Sequence, residues 1–183
     1  MDRKKAIRTE IFQRRKKISE EFVIYNSQII CDKICELEEF KKSSCIYTYV
    51  DFKKEVMTRG ILRKAWEMRK KTAVPKVQED GLVFYIIDSF EQLKKGYFGI
   101  EEPVSGKLAD DEHAFMVVPG VAFDKQLHRI GYGKGFYDRY LSNHPKHPTA
   151  AVAFDFQIMQ EIPCDQYDIR PDQLVTETML LKV

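Results

Sequence analysis

The sequence predicts an α/β protein whose mainly parallel sheet is covered by helices on both faces. Segments of helical periodicity alternate with short apolar, partly β-branched runs along the chain, and such alternation implies right-handed crossovers between parallel strands. The 183 residues are 44% apolar and 32% charged, sufficient for a proper core. No internal repeat, low-complexity tract or linker divides them, so a single domain over 1–183 is expected.

Asp2 to Lys17 reads as a helix, with Ile7, Ile11 and Ile18 at helical spacing and Lys4, Arg8 and Arg15 as a neighbouring basic stripe. A charged stripe is ordinarily a solvated face; its functional reading is that Lys4 and Arg8, one turn apart, reach toward a polyanion. Ser19 caps a second helix, Glu20 and Glu21 suit its first turn, and Phe22, Ile29, Ile30, Ile34 and Leu37 form its buried side. After the polar break at Lys41 to Ser44, Cys45 to Val50 is a buried strand. Glu55 to Lys70 returns to helical spacing through Met57, Ile61, Ala65 and Met68, with Leu62 and Trp66 beside them.

Thr72 to Val77 and Leu82 to Ile87 are strands separated by a turn at Gln78 to Gly81. Asp88 to Lys95 is expected to be a short helix, and Gly96 to Asp111 a loop punctuated by Gly99, Pro103 and Gly106. Ala114 to Val118 is the most strand-like run, and Ala150 to Phe154, Leu174 to Thr176 and Met179 to Lys182 complete the strands. In open sheets of this kind ligands sit beyond the carboxyl ends of the strands. Val50 to Glu55 and the segment after Val118 therefore face the same rim.

The formal charge of +2 neither favours nor excludes a nucleic-acid partner. Cys31, Cys35, Cys45 and Cys164 contain no pair two residues apart, and the chain opens on charge in place of an apolar signal. A reducing, cytoplasmic setting is the expectation. Cys31 and Cys35, one helical turn apart on a buried face, are read as small apolar side chains. No apolar run is long enough to span a bilayer.

The most informative stretch is Val117 to Leu141, which sets Gly131, Gly133 and Gly135 around Lys134, between Pro119-Gly120 and an amphipathic run with Phe136, Tyr137, Tyr140 and Leu141. Alternate glycines let a ligand approach main-chain amides closely, and a helix starting near Gly135 would add its dipole to the charge of Lys134. The motif is not a Walker loop: His128 stands at the first-glycine position and Gly135 follows the lysine. The dinucleotide fingerprint fails too, with Phe136 where a third glycine is required. The alternative is a glycine-rich turn that only links a strand to a helix.

Phosphoryl transfer needs a phosphate cradle, a carboxylate for a metal and a group that orients the acceptor. Arg129, Lys134 and the loop amides form the cradle, which makes Lys134 and Arg129 the candidate catalytic groups. Asp138 could hold a metal or simply pair with Lys134 one turn away. Asp172, in a turn-prone segment entering a strand, could complete the acidic side or be a turn residue. Glu55 could cap a helix or serve the shared rim. His144 and His147, beside Pro145 and Pro148, lack a third metal ligand, and His128 reads as a solvated loop residue. No serine or cysteine nucleophile has a base partner in view.

Pro119-Gly120-Val121-Ala122-Phe123-Asp124, followed by Arg129-Ile130-Gly131-Tyr132-Gly133-Lys134-Gly135-Phe136-Tyr137-Asp138, closely resembles the signature of the 5-formyltetrahydrofolate cyclo-ligase family. Lys4-Lys5-Ala6-Ile7-Arg8 is similar to that family's Lys-x-x-Leu-Arg element, with Ile7 for the commoner leucine, and Glu55 and Asp172 extend the match over nearly the whole chain. The resemblance implies a three-layer α/β/α sandwich and a monomeric enzyme that uses ATP and Mg2+ to convert 5-formyltetrahydrofolate to 5,10-methenyltetrahydrofolate, releasing ADP and phosphate. It assigns ATP to Lys4, Lys5, Ala6, Ile7 and Arg8, and to Arg129, Ile130, Gly131, Tyr132, Gly133, Lys134, Gly135, Phe136 and Tyr137. It assigns the folate to Val50, Glu55, Tyr132, Gly133, Lys134, Gly135 and Phe136, and the metal to Asp138 and Asp172. Tyr132 stands at a position that varies among relatives. No nucleic acid or membrane partner is implied.

Two rival readings are a sugar-phosphate isomerase or acyl-CoA transferase relative using the loop only as an anchor, and a nucleic-acid-binding module built on the basic amino-terminal helix.

Overall fold

The computed structural model describes residues 3–79, 81–96 and 99–182. The expected start of the first helix at Asp2 lies outside them. Helices run over α1 (Arg3–Lys17), α2 (Glu20–Glu36), α3 (Glu38–Lys42), α4 (Arg59–Glu67) and α5 (Phe136–Asn143). Strands are β1 (Cys45–Thr48), β2 (Lys71–Gln78), β3 (Gly81–Ile87), β4 (Leu93–Lys95), β5 (Glu101–Pro103), β6 (Phe115–Val118), β7 (Ala122–Asp124), β8 (Arg129–Ile130), β9 (Thr149–Val152), β10 (Ile158–Met159), β11 (Gln173–Val175) and β12 (Leu180–Lys182).

The main sheet has the order β12-β11-β9-β6-β1-β2-β3. Its five inner strands are parallel to their neighbours, and β3 and β12 close the edges antiparallel. Successive side chains of a strand face opposite sides, and the core divides accordingly. Ile46, Phe115, Val117, Ala150, Val152 and Val175 pack with α2, α3 and α4 on one face. Cys45, Tyr47, Ala73, Met116 and Val118 pack with Leu141 of α5 on the other. The sandwich expected from the sequence is thus present, and β6 at its centre is buried along its whole length.

Local chemistry explains where elements begin and stop. The Ser19 hydroxyl accepts from the Phe22 amide at 3.0 Å and starts α2; an extended Leu37 separates it from α3. The helix expected from Glu55 begins only at Arg59, because the preceding loop is tied down by side chains. Thr58 donates its amide to the Asp51 carboxylate at 2.9 Å and its hydroxyl to the Tyr49 carbonyl at 2.7 Å. The Tyr49 hydroxyl donates to the Val56 carbonyl at 2.7 Å.

The helix expected over Asp88 to Lys95 is only one 3-10 turn, Phe90–Gln92, closed by a reciprocal capping box between Ser89 and Gln92. Leu93 to Lys95 form β4, which pairs with β5 inside the segment read as a loop. The short strands β7, β8 and β10 have no counterpart in the sequence pattern. They make a separate three-stranded sheet beside the core, organised by Asp124. That carboxylate accepts from the amides of Gln126, His128 and Ile162 at 2.9, 3.0 and 3.2 Å, and meets the His128 ring at 2.9 Å. His128 is therefore a structural partner and not a solvated loop residue. His147 is likewise buried, its ring 2.8 Å from the Ala114 carbonyl and packed between Tyr47 and Tyr140.

Candidate active site

The glycine loop leaves β8 and enters α5. Gly133 and Gly135 hold left-handed backbone, with φ of 96° and 64°, which L-residues with a Cβ disfavour. Gly135 is the cap residue of α5 and, having no side chain, offers the first-turn amides no partner. Those N–H groups, at the positive end of the helix dipole, are the kind of anion cradle expected from the motif. The Lys134 ammonium is exposed and has no hydrogen-bond or ion-pair partner among the described residues.

The amino-terminal helix reaches the same loop. The Arg8 guanidinium donates from Nε to the Gly131 carbonyl at 2.8 Å and lies against Gly133. Lys4 is anchored by Asp165 and Asp168 at 2.8 and 2.5 Å; burial opposes its charge, but the two carboxylates outweigh that and raise its pKa. Lys5 and Ala6 face solvent. Ile7 and Ile130 point into a small apolar cluster with Ile11, Val121, Ala122 and Ile162 and hold α1 against the side sheet.

Arg129 is buried and donates from Nη2 to Asp138 at 2.6 Å and from Nη1 to the Pro119 carbonyl at 3.3 Å. Asp138 also accepts the Ile169 amide at 3.1 Å through the same oxygen, Oδ1. Its salt-bridge partner is thus Arg129 rather than Lys134. Asp172 accepts from the amide and hydroxyl of Thr149 at 2.7 and 2.8 Å. It stands at the amino ends of β9 and β11, whereas Asp138 stands by Pro119 beyond the carboxyl end of β6, and the two carboxylates share no partner among the described residues. No group of three or more His, Cys, Asp or Glu side chains among the described residues is arranged to hold a metal.

The rim beyond β1 supplies the second half of the site. Val50 packs inward with Leu62, Val74, Ile87 and Leu93, and the turn after it passes through left-handed Lys53 and Lys54. Glu55 is buried, its Oε2 accepting from the Phe52 amide at 2.8 Å. Its Oε1 accepts a short hydrogen bond from the hydroxyl of Tyr132. That contact joins the loop after β1 to the glycine loop and verifies the shared rim. Burial pushes the Glu55 carboxyl up, against the opposing pull of the Tyr132 hydroxyl and Arg15. Phe136 packs beneath the Arg139 guanidinium. Burial and the Glu55 charge raise the Tyr137 phenol, whose hydroxyl has no hydrogen-bond partner among the described residues.

Arg15 corrects the reading of the basic stripe as a solvated face. It is only 5% exposed and donates from Nη1 to the Tyr132 hydroxyl at 2.8 Å. The signal was available: residues 7, 11 and 15 are spaced by four, which places Arg15 on the line of the buried isoleucines.

A family model described as "5-formyltetrahydrofolate cyclo-ligase family" matches residues 1–177. A Schizosaccharomyces pombe protein named "Probable 5-formyltetrahydrofolate cyclo-ligase" is 32% identical over 91% of each chain. The solved 5,10-methenyltetrahydrofolate synthetase of Aquifex aeolicus is 35% identical, superposes with a TM-score of 0.86, and is matched over 98% of this chain and 92% of its own. That of Mycoplasma pneumoniae gives 25% identity and a TM-score of 0.76 over 97% and 99% of the two chains. Loop, fold and family model coincide over the same residues, and the chain belongs to the 5-formyltetrahydrofolate cyclo-ligase family.

Proposed function

We propose that this chain catalyses the ATP-dependent closure of 5-formyltetrahydrofolate to 5,10-methenyltetrahydrofolate, with release of ADP and phosphate. The Tyr132–Glu55 hydrogen bond is the single observation that carries the reading, because it brings a phosphate-type loop and a buried carboxylate to one site. The nucleotide phosphates belong on the loop amides, Lys134 and Arg8, and the reduced pterin on the Glu55 side. The N-formyl group is an amide whose oxygen is a poor leaving group. Attack of that oxygen on the γ-phosphate expels ADP and gives an iminium phosphate; nitrogen 10 then adds to the carbon, gives up its proton, and phosphate departs.

The protein's part is alignment and charge stabilisation. Holding the two reactants in register can remove ~7 to 11 kcal/mol of barrier, and fixed donors where phosphoryl charge develops add to it. Magnesium, when bound with the nucleotide, would neutralise phosphate charge. We assign it to Asp138, whose Oδ2 has no partner among the described residues and whose side chain stays 21% exposed. Asp172, at the other end of the strands, ties β9 to β11 and is not part of that assignment.

The nucleic-acid reading loses much of its basic stripe, since Arg15 faces inward and Lys4 is ion paired. No helix among the described residues is long and apolar enough to cross a membrane. The test is a spectroscopic assay for methenyltetrahydrofolate. Product should form only with 5-formyltetrahydrofolate, ATP and magnesium together; equal turnover without nucleotide rejects the ligase mechanism in favour of the isomerase-like or transferase-like reading.

A further inference from the structure

A buried arginine with most of its donors unused is an expensive feature. Arg15 gives Nη1 to Tyr132, while its Nε and Nη2 atoms are buried and have no acceptor among the described residues. In a guanidinium these two nitrogens direct their protons along one edge of the plane, the parallel fork that matches two neighbouring oxygens. An orphaned buried donor costs free energy unless something completes it. The fork is also held in place: the Arg15 guanidinium lies 5.9 Å from the Phe12 ring centroid, and Tyr132 stacks on the same ring at 5.9 Å. Through the Tyr132 hydroxyl it is coupled to Glu55, so acceptor-seeking and donor-seeking groups stand side by side.

We infer that Arg15 is a substrate-binding residue whose Nε and Nη2 fork takes two adjacent acceptor oxygens of the folate, the ring carbonyl and the formyl oxygen beside it. The Tyr132 hydroxyl sets the plane of the fork against Glu55. This rests on the proposed function and adds to it a means of specificity. A tetrahydrofolate without the formyl group presents one acceptor where the fork needs two. Phosphate oxygens of the nucleotide share the same chemistry, and the experiment separates the two sources.

Affinities for 5-formyltetrahydrofolate and unsubstituted tetrahydrofolate are measured by calorimetry for the parent, Arg15→Lys and Tyr132→Phe proteins, with KM for ATP measured alongside. Lysine keeps the charge and loses the fork. Arg15→Lys is expected to weaken 5-formyltetrahydrofolate binding roughly tenfold or more, the scale of a charge-assisted hydrogen bond. The parent's preference over tetrahydrofolate should collapse with it, while KM for ATP stays within about twofold. Tyr132→Phe, which keeps the ring and frees Nη1, should lose part of the same preference, and it carries the test if the lysine variant does not fold. Unchanged folate affinity in the variants, or a loss confined to ATP, overturns the inference. A parent protein that binds no folate would instead reject the function on which it rests.

Discussion

Replacing Lys134 with alanine separates catalysis from folding more cleanly than any other change at this site. The ammonium is exposed and has no protein partner among the described residues, and the strained backbone is carried by Gly133 and Gly135 on either side. Nothing structural is therefore lost, and stability should change by no more than ~0.5 kcal/mol, the usual range for such surface positions. The charge is different in the reaction. Removing one fixed donor from a developing oxyanion costs ~2.7 to 4 kcal/mol, or roughly 100- to 1,000-fold in kcat. Turnover under saturating ATP and folate, with thermal unfolding in parallel, measures both quantities on one preparation. A variant that unfolds at the parent's temperature and retains kcat within about threefold would refute the cradle argument and reduce Lys134 to a turn residue.

Three further changes test how the site is supported. Asp124→Asn removes the charge that organises the side sheet and should cost roughly 3 kcal/mol in urea unfolding. Burial opposes that charge, but the His128 ring and the amides of Ile162, His128 and Gln126 hold the carboxyl below the usual carboxylate range. Its contribution is then complete above the unfolded-state pKa and lost as pH falls through the folded value, so the parent should lose its advantage over the asparagine variant in acid. Glu55 has the opposite sign. Burial raises its pKa, so deprotonation is harder folded than unfolded and its contribution worsens as pH rises from the ordinary carboxylate range. The Tm of Glu55→Gln relative to the parent should climb as pH rises above the ordinary carboxylate range, while folate binding is lost; a falling difference would contradict the assignment. Gly60→Ala would put a Cβ 2.9 Å from the Cys31 sulfur, where α4 meets α2, and should cost about 1 to 3 kcal/mol by overpacking. Cys31→Ala in the same chain should recover most of it, and additive losses would show that the two do not share the space.

Periodicity made the main sheet legible because its strands are short apolar runs whose side chains divide between two filled faces. It could not show β7, β8 and β10, which are two or three residues long and held by one carboxylate with four donors, a tertiary fact with no local pattern. The same applies to the loop over residues 51–58, where Asp51 and Tyr49 delay a helix that spacing alone would begin at Glu55. At the site, the glycine loop was readable from residue type, and its link to Arg8 from the family resemblance. Arg15 was visible only as charge, although its spacing from Ile7 and Ile11 already placed it inside. The Asp138–Arg129 pair was hidden for a different reason: a lysine four residues away offered a simpler partner, and only the folded position of the Arg129 side chain decides between them.

The bonds of α1 reach far along the chain, from Arg8 across 123 residues to Gly131 and from Lys4 across 161 and 164 residues to Asp165 and Asp168. During vectorial synthesis the first helix made must therefore wait, undocked, until almost the entire polypeptide has left the ribosome. Contacts so distant are slow to close, and β11, which joins the central sheet, is made later still. Docking of the first helix and completion of the sheet should therefore both fall at the end of synthesis.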